Sequence, residues 1–251
     1  LVKLGENRVA LHKFSEAAQI YQACNATMLF DSIANTQNLA ALLVDLGEWD
    51  KANVRYEDVI TKKKAIYGEG SVAVAKTINS YAILLAKHSR MNEALKNYIA
   101  AKETYEAVPQ SLLKDPEFDI KCKYDMTLIN LNIASIRSKK GDIKGAIESY
   151  EDGVRGLQEY AAAHEKLQIH PGMDEAGKNP HLKHLVAALG RIGSLKLKIG
   201  DTKGALDAYQ TLLDEVGADG PIASQIEKAK AHIKCATIYR QEEGRESHSR
   251  A

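Results

Sequence analysis

One pattern recurs along the 251 residues: an alanine followed four positions later by a tyrosine, at Ala17/Tyr21, Ala52/Tyr56, Ala94/Tyr98, Ala146/Tyr150 and Ala205/Tyr209. Five residues before these alanines stand His12, Gly47, Ser89, Gly141 and Gly200. Three of these are the glycine that suits a helix end where the chain must turn. Eight residues before each turn position come Leu4, Leu39, Tyr81, Ile133 and Ile192; seven before it come Gly5, Ala40, Ala82, Ala134 and Gly193. A large residue beside a small one, then a turn, then another small residue describes two antiparallel helices whose axes approach closely. The first helix offers Gly or Ala, the second offers Ala, and the tyrosine one turn onward packs toward the next pair. Repetition of this kind overrules a domain count from length.

Helix starts agree with the phase. Asp50, Asp142 and Asp201 stand at predicted N-caps, and Asn179 precedes Pro180 at a predicted first helical position. No segment alternates with a period of two, so no strands are predicted. The predicted fold is all-α: one repeat domain, 1–251, of about five helix pairs near 1–30, 31–70, 71–107, 115–168 and 180–216. A terminal helix over 221–243 follows, with Cys235, Ala236 and Tyr239 matching a first helix, and then a polar tail. Turn positions are separated by 35, 42, 52 and 59 residues, so later copies must carry longer helices or inserted loops. Two insertions stand out: 107–121, with Pro109 and Pro116, and 164–183, with Pro171, Gly172, Gly177 and Pro180. The chain opens mid-pattern at Leu1, which reads as a truncated or processed start and leaves room for an upstream targeting segment.

The segments TQNLAALLVDLGEWDKANVRYEDVI (Thr36 to Ile60) and AIYGEGSVAVAKTINSYAILLAKHSRMNEALKNY (Ala65 to Tyr98) resemble the tetratricopeptide repeat (TPR), and most of all the kinesin light chain subgroup, which shares their 42-residue spacing. The resemblance implies a right-handed superhelix, an α-solenoid, whose first helices line a concave groove and whose second helices form the outer wall. Groove positions then follow from the phase. Asn38, Ser80, Asn132 and Arg191 lie nine residues before the turn, with Asn79 beside Ser80; Ala41, Ile83, Ser135 and Ser194 lie six before; Asp45, Lys87, Lys139 and Lys198 lie two before. Spacings of three and four put these sets on one helix face. An Asn carboxamide both donates and accepts, so Asn38 and Asn132 suit the backbone of an extended peptide whatever its side chains. The resemblance implies that role at those two positions, fits less well at Ser80, and fails at Arg191. Lys87, Lys139 and Lys198 would add a positive stripe favouring acidic residues or a terminal carboxylate. The competing reading of all these residues is an ordinary solvated polar face.

Other features exclude more than they propose. Lys and Arg total 34 against 33 Asp and Glu, so no global charge draws the chain to nucleic acid. No run approaches the roughly 18 apolar residues of a membrane span, and no membrane insertion is predicted. Cys24, Cys122 and Cys235 lie far apart without metal-ligand spacing, and are read as reduced, buried thiols of a reducing compartment, the cytoplasm. His164, His170, His181 and His184 gather around the second insertion; with no Cys or carboxylate completing a ligand set they read as loop histidines. Tyr67-Gly68-Glu69-Gly70 reads as a bend, Lys62 to Lys64 as a solvated basic run, and Trp49 as packing between the helices of its own pair. No nucleophile or acid–base motif is present, and no metal or cofactor is expected.

The function predicted is a non-enzymatic scaffold holding a protein or peptide partner in the groove. A structural subunit docking into a larger assembly through its outer face and insertions is the second reading, favoured by the irregular spacing. The third is a module fused to chemistry located elsewhere.

Overall fold

In the computed structural model, residues 2–167, 180–216 and 222–249 are described, and they form ten helices in order: α1 (Val2–Ala23), α2 (Phe30–Asp45), α3 (Trp49–Tyr67), α4 (Val72–Lys87), α5 (Met91–Glu106), α6 (Pro116–Lys139), α7 (Ile143–Lys166), α8 (Pro180–Lys198), α9 (Thr202–Glu215) and α10 (Ile222–Ser249). No strand occurs among the described residues. Contacts group the chain into two compact units, residues 1–122 and 123–251.

The turn that closes each pair has one construction. At Gly47, Ser89, Gly141 and Gly200, φ is 79°, 64°, 85° and 80°. The amide of the next residue reaches back to the first helix: Glu48 to Leu43, Arg90 to Leu85, Asp142 to Arg137, and Asp201 to Lys196, at 2.9–3.0 Å. This is the Schellman arrangement, which caps carbonyls that the helix leaves unpaired. The pairs are therefore α2/α3 and α4/α5 in the first unit, and α6/α7 and α8/α9 in the second, the boundary between the units falling inside α6.

His12 departs from this pattern. The phase places a turn there, but α1 runs unbroken through it. Nothing near His12 relieves the left-handed backbone that such a turn requires, and the segment has no Pro to stop a helix. The first tight turn comes instead at Asn25, φ 51°, where the amide of Ala26 bonds the Tyr21 carbonyl at 2.8 Å. The expected first pair near 1–30 is thus one helix, packed on α2.

Small residues sit where the phase places them. Ala40, Ala82 and Ala134 on first helices are fully buried, as are Ala52, Ala94, Ala146 and Ala205 on second helices, and Tyr56, Tyr98, Tyr150 and Tyr209 are buried one turn on. In the first unit Tyr56 stacks on Tyr81 with centroids 4.1 Å apart, so the second helix of one pair meets the first helix of the next. In the second unit the side chain of Leu131 on α6 occupies the space that a Cβ on Gly153 of α7 would take.

The extra residues are resolved in different ways. Residues 107–115 form a loop, while 116–121 open α6 with Pro116 at its first position. Residues 168–179 of the second insertion, including His170, Gly172 and the predicted cap Asn179, lie outside the described residues. Asp142 and Asp201 cap α7 and α9 by accepting from the amides of Gly145 and Gly204, at 3.0 and 2.9 Å. Asp50 does not cap: α3 starts at Trp49, which leaves Asp50 inside the first turn, and Glu48 occupies the cap position with its carboxylate 2.6 Å from Lys51. The cap belongs immediately after the turn residue, as GDIKGA (141–146) and GDTKGA (200–205) both show.

Candidate functional site

The first unit presents Asn38 and Asp45 on α2, and Ser80, Ile83 and Lys87 on α4. Asn38 and Lys87 are exposed, Ser80 is half-buried, and Ile83 is 46% exposed although apolar. The neighbouring Leu39, Ala40, Tyr81 and Ala82 are buried, so the face singled out by the phase is the open one. Ser80 donates to the carbonyl of Lys76, which draws its hydroxyl back onto its own helix. Asn79 is half-buried, with Oδ1 enclosed and lacking a hydrogen-bond partner, so it faces packing rather than the open side. Lys87, the first member of the predicted stripe, lies 3.7 Å from Asp45, the residue at the same position one pair earlier, in an exposed ion pair. His88 also meets Asp45, at 3.1 Å.

Two basic residues of this unit behave unlike solvated charges. Lys63, taken from sequence as part of an exposed run, reaches between helices and donates to Gln37 at 2.9 Å and Thr77 at 2.7 Å. Burial without a carboxylate lowers its pKa. Trp49, expected between the helices of its own pair, meets the following turn: His88 lies edge-on at 5.5 Å and the Arg90 guanidinium sits 4.6 Å above its ring. The bend 68–71 carries the Ser71 cap of α4.

The second unit carries Asn132 and Lys139 on α6, and Arg191, Ser194 and Lys198 on α8. Asn132 is half-buried, while Arg191, Lys139 and Lys198 are exposed. Ser135 hydrogen-bonds the Tyr150 hydroxyl, whose pKa is raised by burial against that bond and the nearby Arg191. Lys139 and Lys198 make no ion pair among the described residues. Arg191 and Ser194 border a cavity of about 500 Å³ between α8, α9 and α10. Its floor is Val186, Leu212 and Ala231, and its rim carries Lys183, Arg191, Lys230 and Lys234 against a single acid, Glu227. Glu227 is itself held by Lys230 at 2.6 Å. Sequence phase found Arg191 but not Lys183, Lys230 or Lys234, because α10 has no turn residue to set its register.

His181 and His184 open α8, with Nδ1 of His181 buried and unpartnered. Tyr160 faces both His164, at 4.3 Å, and His181, at 5.8 Å, and stacks on Tyr124. Burial lowers the pKa of His181 and His184. These are packed aromatic histidines rather than loop residues. Cys122 and Cys235 are buried, but Cys24, expected inside, is exposed at the end of α1. No described helix is long and apolar enough to cross a membrane.

By fold, the described residues form an all-α helical repeat of antiparallel pairs closed by one kind of turn, the arrangement that the tetratricopeptide resemblance implies. The chain is similar to the crystal structure of BtubC (BKLC) from P. vanneervenii, at 18% identity over 92% of this chain and 76% of that one, with a TM-score of 0.56. At that identity the likeness concerns the fold alone. PilF of Pseudomonas aeruginosa aligns at 14% identity over 90% of this chain and 99% of that one, TM-score 0.35. The TPR2AB domain of yeast Sti1, in its complex with pHSP90, aligns at 16% identity over 95% of this chain and 96% of that one, TM-score 0.27. Neither of these last two superposes closely enough to carry an argument. No protein-family model and no curated protein matches the sequence.

Proposed function

We propose that this chain is a non-enzymatic scaffold that holds an extended, acidic segment of a protein partner, with the α8/α10 cavity as its principal site. The observation that carries the reading is the rim of that cavity: four basic side chains and one already-paired acid around an apolar floor. Such a site attracts carboxylates electrostatically while its floor accepts an apolar side chain. Arg191 supplies a planar fork for a carboxylate, Lys183, Lys230 and Lys234 supply point charges, and Ser194 lies at the same edge. Asn132 and Lys139 on α6 and Lys198 on α8 hold the positions that the repeat phase assigns to the same role. In the first unit, taken by itself, Asn38 offers a backbone contact of the same kind, and Lys87 lies beside Asp45. The kinesin light chain resemblance of residues 36–98 supports cargo or motor adaptation as one form of this role, and a reducing cytoplasmic setting fits it.

The test is binding of fluorescent peptides to the whole chain. A peptide mixing acidic and apolar residues should bind, weakening as salt rises, and a basic peptide of equal length should not. Arg191→Glu together with Lys234→Glu should abolish binding while leaving the helical signal intact. Equal binding of both peptides, or indifference to the charge reversal, rejects the reading. Asn38→Ala with Asn132→Ala separately checks the backbone contacts.

A further inference from the structure

Helix α10 is built like a first helix, yet among the described residues no second helix lies across it. Its inner face, Ser224, Ala231, Cys235 and Ile238, is buried against the second unit. On its other side Ile226 is 50% exposed, Ile233 65% and Tyr239 55%, with Ala229 and Ala236 exposed between them. Aligning Cys235-Ala236 with the large–small pairs of the other first helices puts Ala236 level with Ala40, Ala82, Ala134 and Gly193, all of them buried. Ala229, seven residues earlier, is level with Ile33, Ala75, Thr127 and Val186, again all buried. Every other copy covers these positions. The open stripe of α10 is therefore half of a helix–helix contact, with small residues where a second backbone comes close.

The order of residues along the stripe says which helix fits. Ile226, Ala229, Ile233 and Ala236 alternate large and small at spacings of three and four, the seam of a coiled coil. Laid antiparallel on itself about an axis near Ala231, the stripe sets Ile226 against Ala236 of the other copy and Ile233 against its Ala229. Every layer then pairs an isoleucine with an alanine, so knobs meet gaps throughout. A parallel arrangement sets isoleucine on isoleucine and leaves holes between alanines. No charged residue interrupts the seam from Ile226 to Ala236. On one flank Lys230 lies one residue from the two-fold axis and so comes near its own counterpart, each ammonium being held by Glu227 of its own helix at 2.6 Å; on the other, His232 meets its counterpart and Gln225 meets Tyr239.

We infer that α10 is the docking surface for a second copy of this chain, joined antiparallel through Ile226, Ala229, Ile233 and Ala236. Counting the flanking Gln225 and Tyr239, the contact is roughly 20 Å of helix long at 1.5 Å per residue. One helix pair of that length lies near the lower limit of about 1,000 Å² at which specific interfaces begin, so pairing depends on concentration. A two-fold contact of this kind uses the same patch on both copies and closes without forming a fibre. It lies on a different face of α10 from the basic cavity, with Lys230 at the border between the two, and does not rest on the acidic-segment reading.

The experiment is sedimentation equilibrium of the whole chain from low to high micromolar concentration, with Ile233→Asp as the comparison. Ile233 is mostly exposed, so the substitution should leave the helical signal and the Trp49 fluorescence unchanged. The expected result is a monomer–dimer equilibrium that Ile233→Asp abolishes. Register is read by oxidative cross-linking in a Cys24→Ser background. Mixing Ile226→Cys protein with Ala236→Cys protein should give a covalent dimer, and neither variant alone should. A chain that stays monomeric overturns the inference and leaves the stripe to a helix of another protein. A dimer indifferent to Ile233→Asp overturns it as well, and cross-linking of Ile226→Cys with itself overturns the antiparallel register.

Discussion

The ring of Tyr209 fills the space that a methyl group on Gly193 would need. A Cβ there would lie 2.6 Å from Cζ and 2.7 Å from Cε1, and the ring cannot swing away freely, because its hydroxyl lies 3.1 Å from Ser194 Oγ. The other first helices carry alanine at this position, so α8 and α9 make the closer approach here. Gly193→Ala should cost about 1–3 kcal/mol through overpacking, partly offset by the roughly 0.5–1 kcal/mol that alanine gains over glycine within a helix. Urea unfolding of the variant measures the balance. A gain in stability would mean that Tyr209 relocates.

Four pair-closing turns share one geometry, but only three use glycine, and Ser89 holds φ 64° with a side chain. Ser89→Gly should raise stability, because relieving a left-handed L-residue is worth about 1–2 kcal/mol against roughly 0.4–1 kcal/mol of added freedom in the unfolded chain. Gly141→Ala is the reverse experiment. No atom lies within 4 Å of a Cβ placed there, so any loss reports backbone strain alone. Thermal melts of the two variants should move in opposite directions.

These turns also explain what was legible in the sequence. Gly47, Ser89, Gly141 and Gly200 fixed the register of both helices of a pair, so the burial of Ala40, Ala52, Ala82 and Ala94 followed by counting. At His12 the same count failed, because an alanine–tyrosine spacing of four fits any helix and only a left-handed residue makes it a turn. The site was half legible for the same reason. Arg191 could be counted back from Gly200, whereas Lys230 and Lys234 belong to a helix without a turn, and their convergence on Arg191 exists only in three dimensions. Lys63 was misread because a run of lysines has no periodicity to show which one points inward.

Buried tyrosines set the alkaline limit of the first unit. Burial raises the pKa of Tyr81 to about 12 and of Tyr98 to about 12, and raises Tyr56 further. In the unfolded chain these phenols ionise near pH 10, so between there and about 12 the unfolded state holds fewer protons than the folded one. Stability is complete below about pH 10 and falls as pH rises through that window. A spectrophotometric titration should show these tyrosines ionising together with loss of helical signal. Phenolate formation with the fold intact would contradict their burial.

At the acid end the burden moves to α8. Burial holds His181 and His184 neutral, with pKa lowered from the ordinary 6.5, and the groups facing His181 are Tyr160 and His164 from α7 and Glu215 from α9. Lys183 adds to the lowering at His184, whereas Glu215 only partly opposes it at His181. A depressed histidine pKa means that the unfolded chain binds the extra proton first. Its contribution is therefore whole above about pH 6.5 and is lost as pH falls through that value toward the folded pKa. His181→Phe keeps the aromatic contact with Tyr160, removes the unpartnered Nδ1, and cannot charge. It should be at least as stable as the parent chain at pH 7 and should flatten the decline in melting temperature between pH 7 and 5. An unchanged slope would place the acid sensitivity on other groups, with His184→Phe as the next to measure.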